Sequence, residues 1–156
     1  MQRRDLFTAD SERKRSSKMT TTTLLEVRYA ETDMMGIMHH SRYYPWFEVA
    51  RTEFIKQVGM TYSDMEKTGV LLPLTETEAK YIIGLKYEDK AEVSCTLFEL
   101  SPARCGFRYT VKRLSDGKIA TTGITRHGFV DKEFKALNLK KKYPEMYATF
   151  EGLLEK

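Results

Sequence analysis

Ten consecutive positions of this 156-residue chain, Glu31-Thr32-Asp33-Met34-Met35-Gly36-Ile37-Met38-His39-His40, hold most of its chemistry-bearing residue types. Asp33 stands among Met34, Met35, Gly36, Ile37 and Met38, and a carboxylate in apolar company is poorly solvated and correspondingly more basic. That suits it to act as a general base or a nucleophile. The same residue also reads as an ordinary turn aspartate that satisfies nearby backbone N–H groups. His39 and His40 offer an acid/base group or a positioning donor, or else a helix-start residue bonded to the backbone. Adjacent side chains point in different directions, and His127 is the only other histidine, so no metal site is expected. The first N–H groups of a helix beginning here lack intrahelical acceptors and sit at its positive end. An ester or thioester carbonyl placed there would have its developing oxyanion stabilised, with Gly36 letting the backbone come close. Met34, Met35 and Met38 suit either a core or an adaptable apolar pocket.

The elements around this segment are legible from their periods. From Thr21 onward Leu25, Val27 and Tyr29 alternate with Glu26 and Arg28, which predicts a half-buried strand. Ser41 is the expected N-cap of a long helix, with Pro45 in its first turn. Tyr43, Phe47, Ala50, Phe54 and Val58 form one apolar face, Trp46 lies beside them, and Glu48, Arg51, Thr52 and Lys56 occupy other faces. Gly59 is the expected stop, giving about 17 residues and roughly 25 Å. A short helix capped by Thr61 and Asp64 ends at Gly69. Val70–Ile83 reads as a strand bent near Pro73. Two alternating strands follow, Ala91/Val93/Cys95/Leu97 and Cys105/Phe107/Tyr109/Val111. A turn at Ser115-Asp116-Gly117-Lys118 leads to a strand over Ile119–Val130. Pro144 opens a last helix. Helices grouped early, then sequential hairpin-joined strands, predict an antiparallel α+β domain rather than a doubly wound one.

Composition narrows the function classes. With 41% hydrophobic residues the chain can bury a core, and no stretch of 18 apolar residues is present to span a membrane. Residues 1–18 hold six Lys/Arg against three Asp/Glu, leaving 20 against 19 in residues 19–156. The body is close to neutral, which argues against nucleic acid as the main ligand. Residues 1–18 lack apolar periodicity and the apolar core of a secretory signal. They are expected to be a disordered leader or an expression remnant before one domain over 19–156, with a cytoplasmic location. Cys95 and Cys105 sit inside alternating strands, where buried structural thiols are the expectation. The Gly-x-Ser-x-Gly elbow, the phosphate-binding loop and the dinucleotide fingerprint are all missing, and no cofactor is expected.

The run Val27-Arg28-Tyr29-Ala30-Glu31-Thr32-Asp33 through Gly36, His40 and Tyr43-Tyr44, followed by Trp46-Phe47-Glu48-Val49-Ala50-Arg51-Thr52-Glu53-Phe54, resembles the 4-hydroxybenzoyl-CoA thioesterase family of hotdog-fold acyl-CoA thioesterases. The likeness continues weakly through Lys80-Tyr81, Phe107–Val111 and Asp116-Gly117 to Phe129-Val130-Asp131. It implies a long central helix wrapped by a curved antiparallel sheet of about five strands. It also implies a homodimer or homotetramer with the active site at a subunit interface, and hydrolysis of an acyl-CoA. Asp33 would be nucleophile or general base, the His40 amide would polarise the thioester carbonyl, and Tyr29 and His40 would assist. Gly36, Met34, Met35, His39 and Tyr43 would line the acyl site, with Arg104 and Arg126 near the CoA phosphates. His39 stands where many members carry tyrosine, and Met34-Met35 where small residues are common. An acyl-carrier-protein thioesterase and a non-catalytic acyl-CoA binding module are the rival readings.

Overall fold

Each interior strand buries every second side chain, and that period decides where the core lies. The computed structural model describes residues 20–59 and 61–156; the expected leader over 1–18 lies outside them. The strands are β1 (Thr20–Glu26), β2 (Leu74–Tyr81), β3 (Lys90–Leu100), β4 (Arg104–Arg113) and β5 (Ile119–Gly128). The helices are α1 (Tyr43–Ile55), α2 (Tyr62–Thr68), α3 (Leu139–Lys142) and α4 (Pro144–Leu153). The strands form one antiparallel sheet in the order β1-β3-β4-β5-β2. Ala91, Val93, Cys95 and Leu97 of β3 and Cys105, Phe107, Tyr109 and Val111 of β4 are all buried, as their alternation predicts. Burial pushes both cysteine thiols up, so neither is a thiolate at neutral pH. No helix among the described residues is long and apolar enough to cross a membrane.

Helix α1 lies against the inward face of the sheet. Tyr43, Trp46, Phe47, Ala50 and Phe54 are buried, as their spacing requires. Its α-helical part is 13 residues rather than 17, because a 3-10 turn precedes it at His40–Arg42 and another follows at Lys56–Val58. Gly59 closes the run at φ +84°. Ser41 is not the cap: His39 precedes the turn, and its Nδ1 accepts from the Ser41 N–H at 3.2 Å. The α2 capping box forms as expected. Thr61 Oγ1 accepts from the Asp64 N–H, the Asp64 carboxylate accepts from the Thr61 N–H, and Gly69 closes at φ +103°. Strand β1 stops at Glu26. The apolar alternation ends at Val27, and Tyr29 begins a 3-10 turn that leaves its ring exposed.

Arg51 departs from its expected place. Instead of pointing away from the core, its guanidinium donates to Tyr62 Oη (2.8 Å) and to Tyr109 Oη (3.1 Å). The chain of bonds continues from Tyr109 Oη to Thr125 Oγ1 (2.6 Å), to His127 Nε2 (2.9 Å), and from His127 Nδ1 to the Leu72 carbonyl (3.1 Å). The Leu72 oxygen only accepts, so Nδ1 carries the proton of the neutral ring and Nε2 accepts from Thr125. Tyr109 then donates to Thr125 and accepts from Arg51, and every bond in the chain runs the same way. Burial, and then the Arg51 charge, push His127 down to about 4, while burial raises Tyr109 to about 12 against the opposing pull of the Arg51 charge.

A pH dependence follows. In the unfolded chain the imidazole takes a proton near pH 6.5, whereas in the fold it stays neutral until about 4. Stability is therefore full above pH 6.5 and falls as the pH drops from there towards 4, by on the order of 3 kcal/mol. Urea titrations of the parent and of His127→Gln at pH 7 and pH 4.5 measure this. The stability difference between the two proteins is expected to shift towards the variant at the lower pH, and a constant difference would refute the assignment.

Candidate active site

The segment carrying Asp33 folds as a tight hairpin. Its base is the bond from the His39 N–H to the Glu31 carbonyl (2.8 Å), followed by the Thr32–Met38 pairing and the Asp33 N–H to Ile37 carbonyl bond (2.9 Å). Gly36 makes the turn at φ +78°, and its N–H donates to the Asp33 carbonyl at 3.0 Å. Asp33 Oδ1 accepts from the Met35 N–H at 2.9 Å, so the turn role foreseen for this residue is real. Its other oxygen, Oδ2, takes no hydrogen bond among the described residues. The hairpin is held to the body by the Met38 N–H, which donates to the Leu85 carbonyl at 2.7 Å.

Asp33 lines a cleft of about 320 Å³ whose walls are otherwise largely apolar: Met35, Ile37, Met38, Tyr43, Tyr81, Ile82, Ile83 and Gly84, with His40 at one side. Tyr43 is buried and opens α1, while His40 opens the 3-10 turn before it. The His40 N–H has no acceptor among the described residues. The His40 carbonyl accepts from Tyr81 Oη at 3.2 Å, and the two rings meet edge-on. A half-buried carboxylate with one free oxygen thus shares an apolar cleft with an unpaired backbone donor at a helix start. Such a site can attack or hydrate a carbonyl while stabilising the oxygen that becomes negative.

The other expected site residues are spread more widely. Met35 lines the cleft, whereas Met34 is fully exposed at the hairpin tip. His39 stacks on His40 with ring centroids 4.1 Å apart, but spends Nδ1 on Ser41. Tyr29 does not line the cleft. Its ring packs edge-on against Tyr87, and its carbonyl accepts from Thr32. Arg104 and Arg126 do not line it either: the cleft adjoins the β5 end where Tyr81 pairs with Thr121, while Arg104 pairs with Gly128. Five residues of strand, about 17 Å, separate Thr121 from Arg126. The Arg126 guanidinium is already held by Glu99 (2.8 Å) and Glu76 (3.1 Å). Among the described residues no group of three His, Cys, Asp or Glu side chains could hold a metal ion.

Two parts of the site carry no local signal. Tyr81–Gly84 reads only as the tail of a strand, and nothing in its pattern says that it walls Asp33. Glu31 looks like any polar loop residue, yet it is buried. Its Oε2 accepts from the Trp46 indole N–H (2.9 Å), and Oε1 accepts from the Arg28 N–H (2.9 Å). Burial alone would raise its pKa, but the Arg28 and Trp46 hydrogen bonds outweigh that and hold the carboxyl below its usual value.

Residues 27–148 match the family model described as the thioesterase-like superfamily. The chain belongs to that superfamily. It is 38% identical over 128 residues to the "Putative acyl-CoA thioesterase YneP" of Bacillus subtilis (strain 168), covering 81% of this chain and 92% of that protein. The solved structure of a DHNA-CoA thioesterase from Staphylococcus aureus superposes with a TM-score of 0.79 at 34% identity, covering 85% of this chain and 89% of that one. A hypothetical protein, TT1821, from Thermus thermophilus gives the same TM-score at 33% identity, covering 88% and 100%. The single antiparallel sheet with α1 against it is the hotdog fold of this superfamily.

Proposed function

We propose that this member of the superfamily is an acyl-CoA thioesterase, hydrolysing the thioester to a free acid and CoA. The observation that carries the reading is the Asp33 carboxylate, one oxygen unpaired, facing an apolar cleft beside the free His40 N–H. The names of the S. aureus and B. subtilis relatives support the substrate class. The carbonyl oxygen points to the His40 amide and the acyl group lies along Met35, Ile37, Met38 and Tyr43. Asp33 then follows one of two routes. It attacks the carbonyl carbon as the C–S bond breaks, and water hydrolyses the resulting anhydride; or it takes the proton of a water that attacks instead. Both routes release one thiol per acid. The exposed edge strand β2, with Tyr81 and Ile82 uncovered at its end, supports a homodimer or homotetramer. In such an assembly Tyr29, Arg104 and Arg126, which do not line the cleft within one chain, would serve the partner's cleft. The resemblance to the 4-hydroxybenzoyl-CoA branch and the cytoplasmic location belong to the same proposal.

A thiol-release assay over a panel of short, branched, medium-chain and aromatic acyl-CoAs, run beside the same acyl groups on acyl carrier protein, tests it. Release from CoA esters supports the reading. Faster release from the carrier protein moves it to the carrier-protein activity. Binding without release, seen as a raised Tm with no free thiol, replaces it by the non-catalytic module.

The cleft also contains its own test of acyl fit. A Cβ on Gly84 would lie 2.7 Å from Ile37 Cγ2, and both residues wall the cleft. Gly84→Ala is expected to lower stability by about 1–3 kcal/mol and to push Ile37 inwards. The chain-length profile of thiol release should then shift towards smaller acids. An unchanged profile would show that the acyl group does not reach Ile37.

A further inference from the structure

Beneath the hairpin that presents Asp33 lies a carboxylate that no step of the proposed chemistry touches. Glu31 is the one buried acidic side chain among the described residues, at 2% exposure, and it stands two positions before Asp33. Its main chain is half of the hairpin base, because its carbonyl takes the His39 N–H. Its side chain turns the other way, into the core. There Oε2 accepts from the indole of Trp46, fifteen residues on and one turn into α1, while Oε1 accepts from the Arg28 N–H and lies 3.3 Å from Arg28 Nε. Trp46 is itself buried, and its ring meets Tyr43, the buried residue of the cleft wall, edge-on at 6.2 Å.

These contacts have a geometric consequence. Asp33 rides on the hairpin, whereas the unpaired His40 N–H opens the 3-10 turn before α1 and Tyr43 opens α1 itself. Backbone bonds keep the hairpin's shape and tie its base to His39, just before the helix. The Glu31–Trp46 bond adds the side-chain link from that base into the body of α1. We infer that Glu31 is a positioning residue for the thioesterase reaction, setting the Asp33 carboxylate against the His40 amide through Trp46. The inference rests on Asp33 being the reactive group.

The choice of residue type agrees. Two donors, an amide N–H and an indole N–H, converge on the two oxygens. Only an ionised carboxylate presents an acceptor to both, and glutamine must turn its NH2 towards one of them. Glu31→Gln therefore keeps the size and breaks one bond. Trp46→Phe removes the indole donor from the other side.

In steady-state thiol release, both variants are expected to lose about ten- to a hundredfold in kcat, with KM changed by less than about twofold, because a misplacement of about 1 Å acts on the reacting geometry rather than on substrate binding. Since both act through one bond, the double variant should be little worse than either single one. The measurements are made where circular dichroism shows each variant folded, so a lower Tm alone does not enter the rate. A parental kcat in the folded variants, or losses that multiply in the double variant, would overturn the positioning role. Asp33→Asn is run alongside. If it retains turnover, the Asp33 reading fails; if it is silent while Glu31→Gln and Trp46→Phe keep the parental kcat, only the Glu31 inference fails.

Discussion

Asp33→Asn is expected to lower acyl-CoA turnover by about a hundredfold or more while leaving the melting temperature within about one degree of the parent. The asparagine carbonyl can still accept from the Met35 N–H, the bond that Asp33 Oδ1 makes at 2.9 Å, so the hairpin has no reason to move. What disappears is the charge on the oxygen that takes no hydrogen bond. An amide neither attacks a thioester carbonyl nor removes a proton from water at neutral pH, so both chemical routes close together. Thiol release at saturating acyl-CoA measures the effect, and a melting curve on the same sample verifies the fold. Near-normal turnover on every acyl-CoA that the parent hydrolyses would remove Asp33 from the mechanism.

The largest effect on stability is expected at Phe47. Its ring is fully buried and stacks on Tyr109 with centroids 4.5 Å apart and planes 13° from parallel. The ring also fills the space above Gly123, where a Cβ would fall 2.4 Å from Phe47 Cε2. Glycine on β5 is thus the complement of the aromatic on α1, and the pair sets how closely helix and sheet approach. Phe47→Ala is expected to cost about 3–5 kcal/mol, which for a chain of this size lowers Tm by about 10 °C. Gly123→Ala alone should cost about 1–3 kcal/mol, since the new methyl meets the ring on one side and the Glu78 carbonyl at 3.3 Å on the other. In the Phe47→Ala background that cost should shrink, because the methyl then enters vacated space. Chemical denaturation of the four proteins gives the coupling, and strict additivity would contradict the contact.

Those two positions differ in how visible they are to a reader of the chain alone. Phe47 belongs to the 3.6-residue repeat that marks α1, and the buried face it predicts is observed. The twofold alternation of β3 and β4, the glycine stops at Gly59 and Gly69 and the Thr61 cap are also seen in the structure. All of these depend on residues within a few positions of one another, where period and backbone sterics act directly. The spacing of Asp33, Gly36 and His40 on one loop before a helix is local in the same sense, which is why that part of the site is legible.

The failures of local reading share one cause as well. Arg51 belongs to a polar face by helical phase, yet its long stem carries the guanidinium to Tyr109, 58 residues away. Ser41 has the right residue type for a cap, but the chain turns two residues sooner and His39 does the work. Glu31 finds Trp46 fifteen positions on, and the cleft gains Tyr81–Gly84 because β2 returns beside the loop that holds Asp33. The secondary elements, the burial of their apolar faces and the loop that presents the carboxylate are all readable along the chain. These follow from side-chain period and φ/ψ preference, which neighbours along the chain decide. Which distant groups meet that carboxylate, close its cleft and hold it to the helix emerges with the folded chain. Hydrogen bonds and contacts form between surfaces in space, and the chain's order does not encode which surfaces come together.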